Sequence, residues 1–338
     1  MAKVAVIGAG AWGTAIALHA TRMGHSVMIW ANEPEVTDSI LHSHVNALFL
    51  PGVTLPDSVR ATGDEVEAVR SAELVVLVPP SKFLRSVAGG LRGAVDPNAT
   101  IVVASKGIEE SSLKLMSQVM AEVLPEIPAS RVAFLSGPTF AKEVAACKPC
   151  NVVAASKSLA ASERVQELLH APFFRVYTSV DPVGVEVGGA LKNVMAIAVG
   201  ALDALDLGLN ARAGVITRAL AEMTRFGVAL GADPLTFLGL AGMGDLVLTC
   251  TGELSRNRQL GIDVARGADP TGYVASRRTV AEGYGTAKAA HLLANKLGID
   301  APIVEQVYQV LHEKRPLMEA LTLLMNREHK EELRGIKS

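Results

Sequence analysis

In the first half of the chain, short apolar runs rich in β-branched residues alternate with stretches of helical period. Residues 3–7 (Lys3-Val4-Ala5-Val6-Ile7) predict a buried strand, followed by a helix to about Met23. Residues 27–30, 74–78, 100–104 and 131–135 repeat the strand pattern. Each run is apolar from its first or second residue onward rather than alternating, as in strands covered on both faces. The spacing therefore predicts a parallel sheet with helices on either side. Residues 151–155 and 174–177 extend that sheet at its far edge.

Near Val180 the pattern changes. Stretches rich in Ala, Leu and Gly then run at helical period over 185–205, 211–230, 234–240, 286–297 and 302–311. The expectation is an α/β parallel-sheet domain over 1–180 and an all-helical domain over 181–338. A prior of about 150 residues per domain agrees with two cores. Gly242-Met243-Gly244 and Gly283-Tyr284-Gly285 read as turns between helices, placed to face the first domain.

Composition narrows the class. With 49% hydrophobic and 20% charged residues the chain is globular, and a net charge of −2 favours neither nucleic acid nor an anionic membrane. Lys192 and Asp203 interrupt the longest apolar stretch, so no integral membrane segment is expected. The first apolar run resembles a leader after Lys3, but Gly8, Gly10 and Gly13 break it; the expected location is cytoplasmic. Cys147, Cys150 and Cys250 are too few for a disulfide framework, and the Cys147/Cys150 spacing lacks the second pair of a zinc site. No metal is expected.

Gly8-Ala9-Gly10-Ala11-Trp12-Gly13 fits the dinucleotide fingerprint, after a strand and opening a helix. The first glycine permits the turn, the second lets a pyrophosphate approach the backbone, and the third lets helix and strand pack closely. Glu33 lies just past the second strand, where an acid hydrogen-bonds a ribose, and no arginine stands between Trp30 and Arg60. That leans toward NAD(H). Asn32 could be a neutral ribose or phosphate contact, and Glu33 could equally be a solvated helix cap beside Pro34.

Lys192 and Asn193 sit in an otherwise apolar, small-residue stretch, Gly189-Ala190-Leu191-Lys192-Asn193-Val194-Met195. A buried lysine needs a partner or a task, and desolvation brings it within range of proton transfer. It could also reach out from the edge of a core helix. Ser105-Lys106-Gly107 and Ser136-Gly137-Pro138-Thr139 each end a strand, where α/β sheets bind ligands. Further on, Asp245 follows the glycine pair Gly242/Gly244, and Ser255-Arg256-Asn257-Arg258 offers a guanidinium fork suited to phosphate. Each of these could instead be an exposed loop residue. Together they point to a dehydrogenase of a small phosphorylated substrate.

On these motifs, with Val280-Ala281-Glu282-Gly283, the chain resembles the bacterial NAD(P)-dependent glycerol-3-phosphate dehydrogenases over nearly its whole length. The resemblance implies a Rossmann-type domain followed by a helical one, with the active site in the cleft between them. It implies Lys192 as general acid/base, with Lys106, Gly137, Thr139, Asn193, Asp245, Ser255, Arg256 and Asn257 around the substrate. Trp12, Lys106, Ala141, Arg256, Val280 and Glu282 would touch the cofactor, NAD(H) and/or NADP(H). The implied reaction links dihydroxyacetone phosphate to sn-glycerol 3-phosphate, a precursor of glycerophospholipid synthesis. Two departures stand out: Ala31-Asn32-Glu33 replaces the arginine or histidine of many relatives, which weighs against NADP(H), and Thr139 replaces serine. The expected partner is a small molecule, with a homodimer the candidate assembly. Two other readings are a β-hydroxyacid dehydrogenase of the 6-phosphogluconate type, whose lysine and asparagine lie about a helical turn apart, and a nucleotide sensor without chemistry.

Overall fold

A computed structural model describes residues 1–278, 281–328 and 331–332. The chain divides into two compact units, Met1–Ser105 with Met116–Pro182, and Lys106–Leu115 with Val183–Ser338. The short segment Lys106–Leu115, which the sequence reading placed in the first domain, thus belongs to the second unit.

The first unit is built on one eight-stranded sheet, β1 (Lys3–Ile7), β2 (Ser26–Trp30), β3 (Arg60–Thr62), β4 (Leu74–Leu77), β5 (Thr100–Val103), β6 (Val132–Ser136), β7 (Cys150–Ala155) and β8 (Phe174–Ser179). Its order is β3-β2-β1-β4-β5-β6-β7-β8. Helices α1 (Ala11–Arg22), α2 (Pro34–Ser43), α3 (Glu65–Val69), α4 (Ser81–Gly90), α5 (Met116–Val123), α6 (Ala141–Ala145) and α7 (Leu159–Leu169) connect the strands. The continuous apolar runs behave as expected, since β4, β5 and β6 are buried at every position. Two features depart from the reading. β3, only Arg-Ala-Thr, carries no apolar run to announce it, yet pairs in parallel with β2. β7 runs antiparallel to β6, because the five-residue α6 does not carry the chain back across the sheet to start a further parallel strand.

The second unit is helical: α8 (Pro182–Ala204), α9 (Gly208–Ala229), α10 (Asp245–Thr251), α11 (Arg256–Ala265), α12 (Pro270–Ala275), α13 (Glu282–Leu297), α14 (Pro302–His312) and α15 (Leu317–Met325). α8 is the one helix among the described residues long and apolar enough to cross a membrane, and 89% of its most apolar window is buried. Leu191, Val194, Met195 and Val199 place it in the core of this unit. α11 lies directly on it: a Cβ on Gly200 would overlap the Arg258 carbonyl, and one on Gly261 the Ile197 carbonyl. The expected glycine turns take other forms. Gly242 and Gly244 lie in a π-helical turn, Leu240–Gly244, that runs into α10, whereas Gly283 and Gly285 belong to the first turns of α13. α10 and α12 are too short, and α11 too polar, for period alone to reveal them.

Candidate active site

In the first unit, the loops after β1, β2, β4, β5 and β6 share the carboxyl-terminal edge of the parallel strands. The strand order reverses between β1 and β4, which opens a crevice at this edge. The fingerprint sits there, and each glycine answers to a different constraint. Gly8 has φ +118°, and a Cβ on it would come within 3.0 Å of the Val78 carbonyl carbon. A Cβ on Gly13 would overlap the Gly8 carbonyl oxygen, so α1 packs as closely on its strand as backbone allows. At Gly10 a Cβ would meet nothing within 4 Å.

Gly10 is the N-cap of α1 and supplies no side-chain acceptor, and the first turn holds no acidic residue. Free N–H groups, the positive end of a twelve-residue helix and open space together fit a pyrophosphate. Ala11 and Trp12, half-buried, pack on the core beneath. Asn46, which the sequence reading missed, ties this loop down: its Nδ2 donates to the Ala9 carbonyl at 2.7 Å and to Thr14 Oγ1 at 2.8 Å. Nothing local marks it, because the loop it serves lies more than thirty residues earlier.

Asn32 is exposed and Glu33 half-buried, past the end of β2. Glu33 is the N-cap of α2 by position, but its carboxylate makes no cap bond. Past β6, Gly137 has φ +140°, and a Cβ on it would press to 2.9 Å from the Asn151 carbonyl oxygen. Thr139 Oγ1 donates to the Gly137 carbonyl at 3.2 Å, and Ala141 opens α6. Cys150 is half-buried, and burial, with Glu143 nearby, pushes its thiol up to about 11.

The second unit gathers the charged residues. Lys192 lies mid-way along α8, 8% exposed, and Asp245 opens α10 at 1%. Lys192 Nζ donates to Asp245 Oδ1 at 2.6 Å, and Lys106 Nζ to Asp245 Oδ2 at 2.7 Å. Thr249 accepts from Lys192 Nζ at 2.9 Å and donates to the Asp245 carbonyl at 2.6 Å. The signal for Thr249 was its place four residues after Asp245, which sets both on one helical face.

Two ammonium groups thus flank one carboxylate. Burial alone would raise Asp245, but Lys106 and Lys192 hold it below the usual range. Burial lowers Lys192 to about 8; Asp245 opposes that shift and the like charge of Lys106 adds to it. A lysine so placed exchanges protons near neutral pH.

The cluster after α10 divides by role. Ser255 caps α11, accepting from the Arg258 N–H at 3.2 Å. Arg258 pairs with Asp203 at 2.6 Å, so it serves the fold. Arg256 is exposed at the first position of α11, and Glu282 is the group whose charge acts on it. Asn257 is buried between Asn193 and Gly283, to which it is hydrogen-bonded. Val280 lies outside the described residues.

A family model described as NAD-dependent glycerol-3-phosphate dehydrogenase N-terminus matches residues 3–162, and its C-terminus counterpart matches 181–322. A glycerol-3-phosphate dehydrogenase (NAD(P)+) of Geobacter metallireducens is 51% identical over 330 residues, 98% of either chain. A glycerol-3-phosphate dehydrogenase crystal structure from Coxiella burnetii superposes with a TM-score of 0.92 at 37% identity, covering 96% of this chain and 99% of that one. One from Saccharomyces cerevisiae gives 0.81 at 30% identity, covering 95% and 99%. The chain belongs to the NAD-dependent glycerol-3-phosphate dehydrogenase family.

Proposed function

We propose that this chain reduces dihydroxyacetone phosphate at C2 to sn-glycerol 3-phosphate, reversibly, with NAD(H) or NADP(H). The observation that carries this reading is the buried Lys192, paired with Asp245 and Thr249 and depressed to about 8. A bound reduced nicotinamide supplies the hydride. Lys192 donates a proton to the carbonyl oxygen as it gains negative charge, and its own positive charge stabilises that oxygen beforehand. Asp245 holds the ammonium in place, and Lys106 keeps it acidic enough to release the proton.

Arg256, with its planar fork, anchors the phosphate, whose binding energy positions the reacting carbon. Gly137 and Thr139, the hydroxyl of Ser255 and the amide of Asn193 complete the substrate contacts. The fingerprint Gly8 to Gly13 holds the pyrophosphate. Ala141, Lys106, Arg256 and Glu282 border the dinucleotide. Asn32 and Glu33 meet the adenosine ribose, where a carboxylate accepts from a 2′-hydroxyl and repels a 2′-phosphate, so NAD(H) serves at least as well as NADP(H). The reading extends to a cytoplasmic role in supplying glycerophospholipid synthesis, on family resemblance and not on the chemistry of the site.

The test follows loss of reduced-nicotinamide absorbance with dihydroxyacetone phosphate and each cofactor, for the wild type and Lys192→Ala. The expected result is turnover by the wild type, with a catalytic efficiency for NADH no lower than for NADPH. The variant should fold and bind dinucleotide but lose roughly 10² to 10⁴ in rate. An inert wild type would overturn the reaction, and an active Lys192→Ala would remove the lysine from it.

A further inference from the structure

The fingerprint loop of the first unit is held from outside itself. Asn46 lies on the connection between α2 and β3 and is 0% exposed. Its Oδ1 accepts the Phe49 N–H at 3.0 Å, while its Nδ2 donates to the Ala9 carbonyl at 2.7 Å and to Thr14 Oγ1 at 2.8 Å. A backbone N–H can only donate, so the Phe49 bond decides which end of the amide is oxygen. Both hydrogens of the nitrogen are then spent on the fingerprint loop and the helix it opens. Thr14, also 0% exposed, donates its own hydrogen to the same Ala9 carbonyl at 3.2 Å. Asn46 has little freedom of its own. Its carbonyl accepts the Leu50 N–H at 3.0 Å, and Leu50 and Leu55 lie in the core.

Ala9 stands between the first two glycines of the fingerprint. Two buried donors draw its carbonyl into the protein. A trans peptide is planar with its C=O and N–H pointing opposite ways, so the Gly10 N–H points out of the core. It has no protein acceptor among the described residues, and a Cβ on Gly10 would meet nothing within 4 Å. Glycine at position 10 leaves the reverse orientation of this peptide sterically open as well. The choice between the two therefore falls to Asn46 and Thr14.

We propose that Asn46 is a positioning residue for the dinucleotide: it holds the Ala9 carbonyl inward and so aims the Gly10 N–H at the pyrophosphate. This rests on the reading that the fingerprint holds that pyrophosphate. Fully buried, Asn46 acts through Gly10 and not by contact with the cofactor.

Asn46→Leu keeps most of the side-chain volume and removes both donors. Titration of tryptophan fluorescence with NADH, without substrate, should show Kd raised by roughly 5- to 50-fold, as for a lost hydrogen bond to a charged group. ADP-ribose, which carries the pyrophosphate, should weaken in the same proportion as a competitor of NADH. Adenosine, which carries none, should weaken less than about twofold, because the hydrogen bond lost is one it never makes. In turnover the loss should fall on KM for NADH, with kcat changing less than about threefold.

Equal losses for adenosine and ADP-ribose, or NADH bound as tightly as by the wild type, would overturn the proposal while the reading of the fingerprint stands. A wild type that binds ADP-ribose no better than adenosine would overturn both. If Asn46→Leu does not fold, Asn46→Asp carries the test. Its carboxylate still accepts from Phe49 but cannot donate to Ala9, and taking up a proton at lower pH restores one donor. Its affinity for NADH should then recover toward that of the wild type as pH falls. Absence of that recovery would overturn the proposal.

Discussion

Asp245 and Glu222 are each 1% exposed, and they are held in opposite ways. Burial pushes both carboxyl groups up. At Asp245 two ammonium groups within 2.7 Å more than offset it, and the group stays ionised. Glu222, on α9, faces no lysine among the described residues. It accepts the Val304 and Ile303 N–H groups at 2.8 and 2.9 Å, at the amino end of α14, and burial carries it up to about 7 despite those bonds and Arg225 nearby. One carboxylate pairs with two ammonium groups; the other fastens one helix to the start of another. Burial shows that a polar group matters, and its partners show for what.

The largest expected effect breaks the Asp245 side of the comparison. Asp245→Asn keeps the shape but leaves Lys106 and Lys192 as neighbouring cations without a counter-charge. Lys192 should then drop further below about 8 and be neutral where it must donate. Turnover should fall by roughly 10² or more, and stability by up to about 3 kcal/mol, since Lys192 can relieve part of the cost by losing its proton. Rate measurements and denaturant unfolding report the two separately. Rates within threefold of wild type with an unchanged midpoint would mean the carboxylate only fills space.

How far the sequence could be read follows the same division. The fingerprint was legible because its parts are contiguous and each acts through its own backbone. Lys192 was legible because a charge stands out in an apolar run. Asn46 was not, since its meaning lies in partners that folding brings to it; Thr249 is marked only by its place four residues after Asp245. Lys106 stands out at the end of a strand, but the segment it opens, Lys106–Leu115, packs in the second unit. Gly283 read as a turn because glycine usually marks one; here it is helical, and small because Asn193 and Asn257 press against it. The direction of β7 was hidden for a similar reason, as an apolar strand reads alike in either sense.

A second prediction sharpens the Asp245 side through pH. With Lys192 lowered to about 8, the reducing direction needs its charged form, and kcat should fall about tenfold per pH unit above that value. Oxidation of sn-glycerol 3-phosphate needs the neutral form and should rise toward the same inflection, then level. Lys106→Met removes the like charge that helps depress Lys192, so the inflection should move to higher pH. A flat profile between pH 7 and 10, or an inflection that Lys106→Met leaves in place, would separate the titrating group from this lysine.

The smallest effect concerns Glu222, and it appears in stability alone. A carboxyl raised from 4.5 to about 7 on folding makes the folded state bind the extra proton between those values. Its contribution is therefore full below about pH 4.5 and declines as pH rises through 7, by at most about 1.4 kcal/mol per unit. Glu222→Gln cannot titrate, and its amide nitrogen would face one of the two N–H groups that the carboxylate now accepts. It should cost about 1–3 kcal/mol, with kcat within about twofold of wild type. Because only the wild type carries the proton-linked term, the stability difference should shrink as pH rises from 4.5 to 7. Denaturant unfolding of both proteins at several pH values measures it. A difference that instead widens with pH would mean that the α14 N–H groups and Arg225 outweigh burial, and that Glu222 is ionised much as Asp245 is.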